Sequence, residues 1–140
     1  IYNDDWMRAR GFLDDAIKVK DIIAQKHEKS FYSIQKTDGI RQAFQLMKNY
    51  DISQLPVMDS EEVVGGLTES TVLQYLLENP NASSDATVGD IMGPAFPIID
   101  ENLPATQLTK FISKQIPAVL AKSKAGNMQI ITQYDVIQSL

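Results

Sequence analysis

The sequence contains no cysteine, so disulfide bonds and thiolate chemistry are excluded. Its single histidine, His27, excludes a histidine-based metal cluster or catalytic triad within one chain. Basic residues are too few for a nucleic-acid surface, since 13 Lys and Arg face 18 Asp and Glu for a net charge of -5. No apolar run is long enough to cross a bilayer and no signal-peptide pattern opens the chain, so we expect a cytoplasmic protein with neither nucleic acid nor membrane as partner.

The most informative feature that is present is an internal repeat. Three short phrases recur in the same order, pairing residues 19–23 with 88–92, 55–57 with 116–118, and 65–68 with 129–132. A repeat of about 65 residues that occurs only twice is longer than a solenoid unit and predicts two like half-domains. A cleft flanked by like elements is a natural ligand site.

Hydrophobic periodicity predicts the order strand, helix, strand, strand, helix in each half. In the first half it places a helix over 38–49, strands at 56–58 and 63–64 around a turn at 59–62, and a second helix that ends near 79–80. In the second half it places a helix over 104–114, strands at 118–121 and 128–131 around a hairpin loop, and a last helix with Val136, Ile137 and Leu140. The polar residues between the halves form a linker.

This duplicated βαββα pattern resembles the CBS domain, and specifically the tandem pair called a Bateman module. The resemblance is carried by the repeated entry phrase Val-x-Asp-Ile-(Ile/Met), by the x-Pro-(Val/Ala) strand start, and by a strand ending in Thr with Asp three residues on. It implies a mixed α/β (α+β) fold in which two CBS motifs pack with pseudo-twofold symmetry. It places motif 1 at residues 18–79, the linker at 80–87 and motif 2 at 88–140, with clefts that bind AMP, ATP or S-adenosylmethionine.

The first residues carry a second resemblance. Residues 1–7 (IYNDDWM) and 11–13 (GFL) are similar to the tail of the catalytic domain in pyridoxal-phosphate enzymes of the cystathionine β-synthase and cysteine synthase family. Residues 1–17 would then be a catalytic tail or linker helix, and the chain a non-catalytic regulatory region of a longer pyridoxal-phosphate-dependent lyase. The alternative is that Tyr2, Trp6 and Phe12 are apolar anchors of some other linker helix.

Thr132 and Asp135 are the strongest candidates for ligand contact. The resemblance implies that the carboxylate accepts hydrogen bonds from both hydroxyls of a ribose, each charge-assisted bond contributing about 1.5–3 kcal/mol. The alternative is a capping box, in which Thr132 and Asp135 satisfy backbone N–H groups at the start of a helix. One pair of residues can serve both roles.

The resemblance predicts two unequal clefts, because Thr71 stands where the second copy has Asp135. The better cleft is expected to contain Thr132, Asp135, Ser30, Phe31, Ile52, Ser53, Gln54, Leu55 and Pro56, with Ser30 and Phe31 at the first strand. The poorer cleft is expected to contain Thr68, Thr71, Phe96, Pro97, Gln115, Ile116 and Pro117. No catalytic residue or metal ligand is predicted.

Two functions remain open from the sequence. One is a regulatory pair that senses AMP, ADP, ATP or S-adenosylmethionine and modulates its own pyridoxal-phosphate-dependent catalytic domain. The other is a structural module that oligomerises or braces the enzyme, with empty clefts. We also expect a homodimer, because the helices at 38–49 and 104–114 carry more apolar positions than one core face needs.

Overall fold

The structure is a computed structural model that describes residues 17–26, 30–81 and 86–139. Several features singled out above lie outside these residues. They are the phrases at 1–7 and 11–13 with their aromatic anchors, His27, residues 82–85 of the predicted linker, and Leu140.

The described residues form a mixed helix and strand fold with two three-stranded sheets. The elements are α1 (Val19–Gln25), β1 (Ile34–Gln35), α2 (Ile40–Tyr50), β2 (Gln54–Asp59), β3 (Glu62–Thr68), α3 (Glu69–Glu78), α4 (Val88–Ile91), β4 (Ile98–Asp100), a 3-10 helix (Ala105–Lys110), β5 (Ala118–Lys122), β6 (Met128–Thr132) and α5 (Gln133–Ser139). The sheet orders are β1-β2-β3 and β4-β5-β6, each with a parallel first pair and an antiparallel second pair. The predicted fold class is confirmed. The order strand, helix, strand, strand, helix is found from β1 to α3 and, with a 3-10 helix in second place, from β4 to α5, whereas the short helices α1 and α4 were not predicted.

The chain forms two compact units, which differ in how they are assembled from the sequence. The central unit spans Tyr32–Phe96, and the terminal unit combines the residues up to Phe31 with those from Pro97 onward. Each unit has its own apolar core. The buried members are Ile34, Ile40, Ala43, Met47, Leu55, Val57, Leu67, Val72 and Val88 in the central unit, and Val19, Ile22, Ile99, Leu108, Val119, Ala121 and Ile131 in the terminal unit.

The repeated Val-x-Asp-Ile phrase performs the same task in both units. At the start of α1, Val19 and Lys20 donate backbone N–H groups to the carbonyls of Leu103 and Glu101, at 2.9 and 2.8 Å. At the start of α4, Val88 and Gly89 donate in the same way to Asp38 and Lys36, both at 2.8 Å. The first N–H groups of a helix have no partner inside it, so these carbonyls satisfy them. Each phrase therefore packs with the sheet of the other copy of the repeat.

The two copies of the x-Pro phrase are not structurally equivalent, although the repeat pairs residues 55–57 with 116–118. Gln54 lies opposite Thr68, and Ala118 opposite Thr132, so Pro56 is the third residue of β2 whereas Pro117 precedes β5. The spacing to the threonine already differs in the sequence, because Pro56 stands 12 residues before Thr68 and Pro117 stands 15 before Thr132.

Pro56 is tolerated inside a strand because its partner on β3 does not bond to it. Gly66 lies opposite Pro56 and turns its N–H and carbonyl to Gly93, at 3.1 and 2.8 Å. The pair is thus a non-hydrogen-bonded one, which needs no N–H from Pro56. The position equivalent to Pro56 in the terminal unit is Leu120, whose N–H donates to the Pro97 carbonyl at 2.8 Å. The missing donor explains why β1 has two residues and β4 three.

The helix predicted over residues 104–114 is wrong in type and length. The structure has only a six-residue 3-10 helix, Ala105–Lys110, which Pro104 precedes. The Thr109 hydroxyl donates to the Thr106 carbonyl at 3.2 Å. Such local bonds and the β-branched side chains disfavour a regular α-helix. Leu108 is nevertheless buried, and Phe111 and Ile112 pack against the core as predicted.

The apolar surface also differs from the one used to predict a homodimer. In α2, Ile40, Ala43 and Met47 are buried. The exposed large apolar residues lie mainly on two other helices, Leu73 and Leu77 on α3 and Tyr134 and Ile137 on α5. Tyr50 at the end of α2 is also exposed, so apolar helix surface is present but lies mostly outside the two helices that were named. The homodimer stays a prediction.

Candidate ligand site

Thr132 and Asp135 meet where β6 passes into α5. The Thr132 N–H donates to Asp135 Oδ2 at 2.9 Å, and the Thr132 hydroxyl donates to the same oxygen at 3.2 Å. In return, the Asp135 N–H donates to Thr132 Oγ1 at 3.3 Å. These reciprocal bonds are a capping box, so the pair begins α5 as the alternative interpretation predicted. A carboxylate held by its own backbone in this way is also fixed in place for an incoming donor.

Lys26 is the residue at this site that sequence reasoning missed. It follows α1, and its Nζ lies 3.3 Å from Asp135 Oδ2 while donating a hydrogen bond to the Ile130 carbonyl. The two charged side chains are only 12% and 14% exposed. No local pattern announces this contact, because Lys26 and Ile130 are 104 residues apart in sequence.

The two oxygens of Asp135 are unequally occupied. Oδ2 receives the Thr132 N–H, the Thr132 hydroxyl and the Lys26 ammonium. Within the part of the chain that the structure describes, Oδ1 receives no hydrogen bond. A carboxylate has about four acceptor positions in total, so Oδ1 offers capacity for a ligand donor.

The equivalent junction in the central unit, between β3 and α3, has Thr71 in place of the Asp135 carboxylate. Thr68 Oγ1 lies 3.0 Å from Thr71 Oγ1 and accepts the Thr71 N–H at 3.3 Å. The pair caps α3 with hydroxyl groups alone. Thr71 stands at the position equivalent to Asp135, the difference from which the sequence predicted two unequal clefts. The helix cap is kept in the central unit, but the negative charge is absent from this position.

The other members of the predicted better cleft are distributed over both units. Ser30 and Phe31 lie in irregular chain before β1, so their placement on the first strand is wrong. Ile52 packs against the central core, and Leu55 and Pro56 are fully buried. Ser53 is exposed, and its carbonyl accepts the Glu69 N–H at 2.9 Å. Gln54 is half-buried at the start of β2. Their contact with a ligand stays a prediction.

The predicted poorer cleft includes one residue with a clear packing role. A Cβ added to Gly66 would lie 2.8 Å from the Phe96 ring and 2.9 Å from the Pro94 carbonyl oxygen. Phe96 is accordingly 6% exposed and covers this glycine. The Pro97 carbonyl accepts the Leu120 N–H, Gln115 and Ile116 are exposed, and Pro117 is half-buried.

The described residues offer neither a metal-binding cluster nor a membrane-spanning helix. They contain no group of three or more His, Cys, Asp or Glu side chains arranged to hold a metal ion. None of the helices in that part of the chain has the length and apolar character that a membrane span requires.

Comparison with known proteins finds similarity to CBS domains. Residues 19–78 match the model of the CBS domain family. Among solved structures, a signal-transduction protein with CBS domains from Burkholderia ambifaria is 18% identical with a TM-score of 0.76, covering 88% of this chain and 93% of that one. CBSX2, solved in complex with AMP, is 15% identical with a TM-score of 0.64, covering 87% of this chain and 94% of that one.

The chain is also similar in sequence to a curated protein. A cystathionine beta-synthase from Dictyostelium discoideum is 28% identical over 158 aligned positions, which include 99% of this chain. The chain spans only 30% of the length of that relative.

Proposed function

We propose that this chain, which is similar to CBS-domain proteins, is a regulatory CBS pair that binds an adenosyl ligand at Asp135. The observation that carries the proposal is the capping box at the β6–α5 junction. It holds the Asp135 carboxylate in place and leaves Oδ1 without a donor among the described residues. A ribose hydroxyl bonded to a charged acceptor contributes about 1.5–3 kcal/mol, which is enough to make this residue a main determinant of affinity.

The proposed ligands are AMP, ADP, ATP and S-adenosylmethionine. The similarity to CBSX2, whose structure was solved with AMP, supports an adenosyl compound. In this proposal Thr132 positions the carboxylate and adds a hydroxyl group. The unit that lacks the carboxylate, with Thr68 and Thr71, binds more weakly or not at all.

The regulated partner in the proposal is a pyridoxal-phosphate-dependent catalytic domain in the same polypeptide. The similarity to a cystathionine beta-synthase supports this partner. A ligand can change the activity of such a domain only by binding one arrangement of the pair more tightly than another. The homodimer and the cytoplasmic location belong to the same proposal.

A purely structural role is the second candidate, and the Lys26–Asp135 ion pair favours it. This pair engages the carboxylate internally with both side chains largely buried. Removing one partner of a buried pair is generally destabilising, so Asp135 has a structural use even without a ligand. In this role the chain would brace or oligomerise the enzyme with no bound nucleotide.

Calorimetric titration of the 140-residue chain with AMP, ADP, ATP and S-adenosylmethionine in turn separates the two candidates. The regulatory function predicts saturable binding of at least one of them, with Asp135→Ala weakening it. Absence of heat and of any thermal stabilisation with all four ligands would favour the structural role. Thermal stabilisation is an independent readout, because a ligand that binds only the folded state raises the melting temperature.

A further inference from the structure

We propose that Lys26 makes the Asp135 site selective for an adenosyl ligand that carries a phosphate. The inference rests on the proposed function and names the class of ligand within it. Lys26 forms an ion pair with Asp135 in the structure. A ligand that takes the place of Asp135 as the partner of Lys26 must therefore be an anion.

The ammonium of Lys26 is held by two acceptors of the terminal unit. Its Nζ lies 3.3 Å from Asp135 Oδ2 and donates to the Ile130 carbonyl. The side chain is 12% exposed, so little water is available to solvate the charge if the carboxylate is taken away. A buried ammonium that loses its counter-ion requires another one.

A ribose competes with Lys26 for Asp135. Two vicinal hydroxyls need two acceptor positions on the carboxylate. Oδ1 is open, but a vicinal diol that binds in a bidentate manner places one hydroxyl on each oxygen, and Oδ2 is already shared by the Thr132 N–H, the Thr132 hydroxyl and the ammonium. Both Thr132 donors belong to the cap of α5, whereas the lysine side chain is long and flexible. Lys26 is therefore the donor that yields when both hydroxyls bind.

The displaced ammonium distinguishes between ligands by their charge. A phosphate on the same ligand provides an anion and completes a charge-assisted bond with Lys26. Adenosine has no charge to offer, so its binding leaves the ammonium uncompensated. S-adenosylmethionine carries a sulfonium and an ammonium against one carboxylate, and its net positive charge is repelled. The expected order of affinity is AMP, then adenosine, then S-adenosylmethionine.

The central unit offers no such selection. The carbonyl equivalent to that of Ile130 belongs to Gly66 and accepts the backbone N–H of Gly93 at 2.8 Å. Thr71 replaces the carboxylate there. A preference for phosphate at this position would thus be a property of the terminal unit alone.

The test compares AMP, adenosine and S-adenosylmethionine by calorimetry on the whole chain and on Lys26→Met, which keeps the side-chain length without the charge. The native chain should bind AMP at least about tenfold more tightly than adenosine, as expected for one charge-assisted bond. In Lys26→Met the ratio should fall to within about threefold, and Lys26→Arg should restore it, since arginine also pairs with phosphate.

The matched control is Lys36→Met in the central unit, which removes the exposed Lys36–Asp59 pair and should leave the ratio unchanged. The same AMP-to-adenosine ratio in the native chain and in Lys26→Met would overturn the inference while the proposed function stands. So would tighter binding of S-adenosylmethionine than of AMP by the native chain, a result that needs no variant to fold. Absence of binding by these three ligands and by ADP and ATP would overturn the proposed function and the inference together.

Discussion

The two units share one architecture but differ in what bonds to the backbone at one equivalent position of their third strands. In the central unit, Gly66 exchanges two backbone hydrogen bonds with Gly93, and Phe96 covers the glycine. In the terminal unit, the equivalent residue is Ile130, and the ammonium of Lys26 bonds to its carbonyl. The strand carbonyl at this position therefore accepts a backbone N–H in the central unit and a charged side chain in the terminal unit.

The difference begins with the presence of a Cβ. A chain segment can lie against Gly66 because nothing projects from it, and α4 accordingly ends after four residues so that Gly93 can pair there. Ile130 has a side chain, and α1 continues for seven residues before Lys26 reaches the strand. The lysine then has Asp135 beside it, whereas the unit with the glycine pair has Thr71. Local packing and the charge of the candidate site therefore change together.

The largest effect is expected from giving the central unit a Cβ where it has none. Gly66→Ala places a methyl group 2.8 Å from the Phe96 ring and 2.9 Å from the Pro94 oxygen, and overpacking of this kind costs about 1–3 kcal/mol. The matched control is Gly93→Ala in the same backbone bridge, where the nearest atom would lie 3.8 Å away. Denaturant unfolding should show a clear loss for the first variant and little change for the second. Equal losses would mean that the close approach at Gly66 does not explain the difference.

The second prediction compares the effect on ligand affinity of a substitution at the start of α5 with one at the start of α3. Asp135→Ala should weaken binding of AMP about 10- to 100-fold, because it removes a charged acceptor, whereas Thr71→Ala should have little effect. Calorimetry measures the affinity, and the melting temperature of the same proteins provides the control. Loss of the cap should cost about 1 kcal/mol of stability, and loss of the counter-ion of Lys26 adds to this cost. A destabilised Asp135→Ala protein with native affinity would sink the ribose assignment.

The smallest effect is expected from making the central unit resemble the terminal one. Thr71→Asp would give Thr68 a carboxylate partner in the first turn of α3, in the arrangement that Thr132 and Asp135 show. We expect a gain of about 0.5–1 kcal/mol from the completed box and the helix dipole. Thermal unfolding of Thr71→Asp beside Thr71→Asn, which lacks the charge, measures it. A lower melting temperature for the aspartate variant than for the native chain would show that the two helix starts are not interchangeable.

The sequence by itself determined the local features of this protein. The order of the strands, a helix over 38–49 that the structure places at Ile40–Tyr50, the turn between β2 and β3, and the position of Thr132 and Asp135 at a strand–helix junction were all predicted. They depend on hydrophobic period, turn residues and capping groups, whose effects extend over a few neighbouring residues. The prolines were misaligned because a short phrase was matched without the spacing to the threonine that fixes strand register.

Only the tertiary structure decided which distant segments meet. It paired each Val-x-Asp-Ile phrase with the sheet of the other copy, brought Gly93 to Gly66, and placed Lys26 on Asp135. These contacts depend on how long the helices α1 and α4 run and on whether a Cβ projects from the third strand. Such conditions act through space rather than along the chain, so a sequence pattern confined to either segment contains no sign of the other.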